Sequence, residues 1–141
     1  MNSTLLLQIA GASLVVLSIA HIPLWRALDW GPEIARLSPI NARVFAVHTF
    51  FIAFILMALG LLSALKPHLL LLPSELARLL LEAIVLFWIA RLAIQLVVFD
   101  RVMRNVWTRS LVIRVGACFV WLGYATIYGA VLMNQLRSVS P

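Results

Sequence analysis

Charge is what this sequence is short of. Of its 141 residues only 11% are Asp, Glu, Lys or Arg, where an ordinary soluble domain carries roughly 25%. Carboxylates are scarcest, with only Asp29, Glu33, Glu75, Glu82 and Asp100 in the whole chain. A soluble fold of this length would have no polar surface to show water, so the solvent implied is lipid. Cysteine occurs once, at Cys118 inside an apolar stretch, which excludes an intrachain disulfide and leaves the redox compartment unread. Four-helix quinone-linked disulfide enzymes need cysteine pairs, and small proton-coupled exporters need a midplane carboxylate facing the bundle centre. Neither requirement is met. No glycine-rich phosphate loop, zinc-type Cys/His spacing or nucleophile elbow is present, and no nucleophile, base and orienter converge as a triad. No catalytic residue is assigned, and the balance leans away from an enzyme.

Apolar residues fill the space instead. They make up 64% of the chain, and mean hydropathy is +1.06. Four long runs, at about 4–22, 43–65, 76–99 and 111–135, account for nearly all of it. Each is close to the ~20 residues that cross ~30 Å of hydrocarbon at 1.5 Å per residue. Lipid tolerates only helices or closed barrels, and runs this long without alternation mean helices. No Lys or Arg precedes Leu5, so the first run lacks the basic start of a signal peptide and is expected as a retained helix. Short connections make sequential helices antiparallel neighbours. The expected fold is therefore all-α, a single-domain integral membrane four-helix bundle running up-down-up-down.

The net charge of +6 resembles a nucleic-acid footprint, but its arginines sit between apolar runs, where they meet lipid headgroups. No nucleic-acid partner is expected; the lipid bilayer is. Loops one and three, with their flanks, hold Arg26, Arg36, Arg43, Arg101, Arg104, Arg109 and Arg114, against Lys66, Arg78 and Arg137 on the other side. The positive-inside rule then puts loops one and three in the cytoplasm and both termini outside a plasma or inner membrane. The segment at about 24–38 interleaves Trp25, Leu28, Trp30, Ile34 and Leu37 with Arg26, Asp29, Glu33 and Arg36, a pattern that suits an amphipathic piece in the interface. Gly60, Gly116, Gly123 and Gly129 read as helix-packing positions.

Function, where the sequence speaks of it, gathers around Arg91. A charge there costs at least ~2.5–3.5 kcal/mol and is seldom accidental. Ile84, Trp88, Arg91 and Gln95 follow an i, i+4, i+7, i+11 spacing and share one helix face. Glu82 and Asp100 each lie nine residues away on the far side, and Glu75, Arg78 and Glu82 form their own stripe. Arg91 must therefore find helix carbonyls, Tyr124, Ser13, the interface, water or an external anion. In the fourth run Trp121, Tyr124 and Tyr128 line one face, with Tyr124 near the depth of Arg91. His21 and His48 fall in the same cytoplasmic half and are a two-residue candidate for haem or metal ligation, while His68 sits in the outer loop.

Three readings follow. In the first, His21, His48, Trp88, Arg91, Gln95 and Tyr124 line a cytoplasmic-leaning polar pocket for an amphipathic or anionic ligand such as a lipid headgroup or a quinone. In the second, the chain is a non-catalytic membrane subunit or assembly factor, or a homo-oligomer, with Arg91 meeting a carboxylate of another chain. In the third, haem or a metal on His21 and His48 makes an intramembrane redox protein. The first is the leading expectation, with no cofactor assigned.

Overall fold

The computed structural model describes residues 2–27, 29–99 and 109–139; side chains at 24, 25, 27, 109–114, 138 and 139 fall outside that description. All regular structure among the described residues is helical. The elements are α1 (Ser3–Ala27), α2 (Gly31–Ile34), α3 (Pro39–Leu65), α4 (Pro67–Leu71), α5 (Glu75–Ile94) with a π turn (Gln95–Phe99) at its end, and α6 (Arg109–Val139). Four stretches are long and apolar enough to cross a membrane: Ser3–Pro23, Pro39–Leu65, Glu75–Phe99 and Val115–Arg137.

Helix ends are written in local chemistry. Ser38 caps α3 by accepting a bond from Asn41 N, with Pro39 in the first turn, where its missing N–H costs nothing. This cap starts α3 ahead of the expected residue 43. Ser74 caps α5 in the same way, accepting from Ala77 N at 3.2 Å, with Glu75 in the positive first turn. α1 continues past Pro23 to Ala27, although the sequence placed its close at 22. Proline removes one backbone bond and tends to kink rather than end a helix whose neighbours support it. Asp29 then takes a left-handed backbone (φ 52°), a conformation Asp tolerates better than most residues. The expected interfacial piece at 24–38 is thus the tail of α1, the single turn α2 and a bend. Loop three lies mostly outside the described residues.

The helices group into two compact units, one of residues 5–67 and one of residues 1–4 with 68–141. In the first, α1 and α3 cross through small residues. A Cβ added to Gly11 would lie 2.6 Å from Gly60 O and closer still to Ala64 N, and one on Gly60 would lie 2.9 Å from Gly11 O. Ser18 Oγ donates to Ala53 O at 2.6 Å further along, so the two helices run antiparallel. Close backbone approach by Gly, Ala and Ser is how helices associate where lipid supplies no hydrophobic drive. Gly11 was not foreseen. Gly116, Gly123 and Gly129, expected to pack, face open space.

In the second unit α5 and α6 pack along a seam. Ala77, Leu81, Ile84 and Trp88 are buried on α5, and Tyr124, Tyr128, Val131 and Gln135 on α6. Both sets repeat at alternating steps of three and four, the spacing of coiled-coil-like packing. Near the start of α5, Gln135 Nε2 donates to Leu70 O at 2.6 Å and Leu72 O at 3.0 Å. Farther along, Trp88 meets Trp121 and Tyr124. That order makes the pair antiparallel. The outward positions are apolar as well: Leu76 is 78% exposed and Phe119 70%.

Candidate functional site

The stepping that builds the seam also builds the site. Trp88, 1% exposed, stacks on Tyr124 at 4.5 Å between centroids and 29°, and on Trp121 at 5.4 Å and 14°. Phe87 meets it edge-on at 5.0 Å. One turn later the half-buried Arg91 places its guanidinium carbon 4.7 Å from the Trp121 centroid and 5.3 Å from that of Phe99. Its Nη1 donates to Gln95 Oε1 over a long 3.4 Å. Gln95 is itself 5% exposed. The sequence-derived set thus divides: Trp88, Arg91, Gln95 and Tyr124 come together in the unit of α5 and α6, and Trp121 and Phe99 join them.

Magnitudes explain how Arg91 is tolerated. Each cation–π contact contributes about 0.5–2 kcal/mol. Two of them are of the order of the ~2.5–3.5 kcal/mol that an arginine at the centre of a membrane helix costs on insertion scales. No described carboxylate pairs with it; Arg78 and Glu82, 3.9 Å apart, are the ion pair on α5. Hydrogen bonding is less complete than charge compensation. A guanidinium carries five N–H donors, and Gln95 is the acceptor described for Arg91. The indole nitrogens of Trp88 and Trp121 are sealed from solvent and have no acceptor among the described residues, a cost of about 1–3 kcal/mol for each. The cluster is therefore rich in donors and poor in acceptors.

Phe99 reaches the site because of the π turn. In an unbroken α-helix Phe99 would sit about 80° around from Arg91 at 100° per residue. The wider i→i+5 turn absorbs roughly one residue of rotation and returns Phe99 to the face of Arg91. Nothing in the apolar string Gln95-Leu-Val-Val-Phe99 announces this. Trp121 was visible as a neighbour of Tyr124 on one face, but only its contact with Arg91 assigns it to the cluster.

His21 and His48 belong to the other unit. His21 Nδ1 donates to Leu17 O at 2.8 Å in its own helix. His48 is exposed on α3. Ser13, offered as a partner for Arg91, donates to Ala10 O at 2.8 Å in its own helix. Among the described residues no three His, Cys, Asp or Glu side chains gather as a metal site.

Two clefts have linings that do not include Arg91. One, of about 310 Å³, is lined by Pro73, Ser74, Glu75, Arg78 and Gln135. The other, of about 180 Å³, lies among Trp30, Glu33, Ile34, Leu37 and Phe45, where Trp30 meets Phe45 edge-on at 5.3 Å. Compared with protein families, curated proteins and solved structures, the chain matches none.

Proposed function

We propose that this is a multi-pass protein of the plasma or inner membrane that holds an amphipathic or anionic ligand at Arg91. Its four long helices would run up-down-up-down, with loops one and three cytoplasmic. One observation carries the binding role: a half-buried guanidinium, set against ring faces, has a single described hydrogen-bond acceptor. Donors left open in a low-dielectric setting favour any ligand that brings acceptor oxygens. Trp88 and Tyr124 hold the wall against which Arg91 rests. His21 and His48 lie in the other unit.

The test is extraction. Protein purified in mild detergent, and its Arg91→Gln variant, are stripped with organic solvent and the extracts analysed by mass spectrometry. The expected result is one amphiphile class near one per chain in the wild type and depleted in the variant. Identical extracts from both would remove Arg91 as a ligand-binding residue. A stoichiometric second protein, lost with Arg91, would shift the assignment to a membrane subunit. An absorption spectrum of the same sample is expected to lack a Soret band; one haem per chain, abolished by His21→Ala or His48→Ala, would overturn that expectation.

A further inference from the structure

We infer that the group held by Arg91 is the phosphate of an anionic phospholipid, entering from the leaflet at the C-terminal end of α5. The inference rests on the ligand-binding role proposed above and names its chemistry.

Direction is the first argument. Helical side chains lean toward the N-terminus of their helix, yet Arg91 reaches forward to Gln95 and Phe99. Its Cα lies eight residues before Phe99, roughly 12 Å at 1.5 Å per residue. Reaching forward brings the charge closer to the headgroups than its Cα, as snorkelling does. A phosphate seated slightly below its usual plane then meets it. A ligand lying wholly in the hydrocarbon would call for no such lean.

Donor chemistry is the second. Phosphate oxygens only accept, and the cluster offers donors to meet them: the remaining N–H groups of Arg91, the Gln95 amide nitrogen and the Trp121 indole N–H. Trp121 is half-buried, and its N–H has no partner among the described residues. Gln95 Oε1, the acceptor, is already engaged by Arg91. Among the described residues choline or ethanolamine would find no carboxylate here, and the Trp121 and Phe99 rings already carry the guanidinium. An anionic headgroup such as phosphatidylglycerol suits the site better than a zwitterionic one.

Charge is the third. A phosphodiester cancels the Arg91 charge and accepts two N–H bonds in a fork. A quinone would bring acceptors but no charge, and would need an open ring face for stacking. The sequence just beyond Phe99 sets Arg101, Arg104 and Arg109 against the single Asp100, a basic excess that favours an anionic leaflet.

The test uses the full chain in phosphatidylcholine nanodiscs, with phosphatidylglycerol in stepped fractions and tryptophan emission as the readout. The expected result is a saturating change in the wild type, absent in Arg91→Gln and weakened at least ~10-fold in Arg91→Lys, which cannot form the fork. Trp121→Phe, which keeps the ring and loses the N–H, should weaken it several-fold. Circular dichroism confirms that each variant is folded; should Arg91→Gln not fold, Trp121→Phe and the wild-type arms decide. A signal as large in pure phosphatidylcholine, or one unchanged in folded Arg91→Gln, overturns the inference. Inorganic phosphate alone giving the full change makes free phosphate the source and overturns the lipid. An Arg91-dependent response to decylubiquinone but not to phosphatidylglycerol overturns the phosphate and leaves the ligand site standing. Silence in every wild-type arm removes both.

Discussion

Arg91 shows how one charge is kept in a chain that has few. Its field is met by the π faces of Trp121 and Phe99 rather than by a carboxylate, so no second charge had to be desolvated. Arg91→Leu should therefore insert more easily, by about 2.5–3.5 kcal/mol on insertion scales, and keep its helicity by circular dichroism. Its Trp121 emission should shift as the cation leaves the ring. Failure of this variant to accumulate in membranes would show that Arg91 is needed for the fold itself. Gln135 is a contrasting case, a buried polar residue whose described bonds join two helical segments. It holds the carbonyls of Leu70 and Leu72 through one nitrogen, fastening the end of α6 to the turn before α5. Gln135→Leu leaves both carbonyls without that donor, and unfolding in mixed micelles should reveal a loss of about 1–3 kcal/mol.

Helix pairs follow two different packing rules. The α1–α3 pair is joined by the absence of side chains, with Gly11 and Gly60 letting backbone meet backbone. The α5–α6 pair is joined by large ones, Trp88 and Tyr128 among them. Gly11→Ala must push apart backbone atoms that cannot rotate away, a cost of about 1–3 kcal/mol. Gly123→Ala, with open space at its Cβ, should leave stability unchanged or raise it by up to about 1 kcal/mol, because Ala is the better helix former. Thermal unfolding of the two variants in the same detergent compares them directly, and equal midpoints would contradict the crossing. The π turn is a third device, placing a ring that an α-helix would turn away.

For the whole molecule, the arginine count yields a testable orientation. Seven basic residues flank loops one and three against three elsewhere, so both termini should face outward. In a Cys118→Ala background, Asn2→Cys and Ser140→Cys should react with an impermeant maleimide in intact cells. Glu33→Cys should react only after permeabilisation. The reverse pattern would invert the topology.

Class was legible in the sequence because it depends on composition and run length, which need no partner: four apolar runs specify four long helices wherever they pack. The shared face of Trp88, Arg91 and Gln95 was legible for a similar reason, since helical period alone sets it. Only the tertiary structure decided what each face meets. It gave Trp88 both Trp121 and Tyr124, put Gly11 rather than the α6 glycines at a crossing, and turned Phe99 onto Arg91. Those outcomes depend on which helices approach and on one residue of π register. Neither is encoded in any local pattern of apolar and polar residues, because nearly every face of these helices is apolar and hydrophobicity no longer marks the inside.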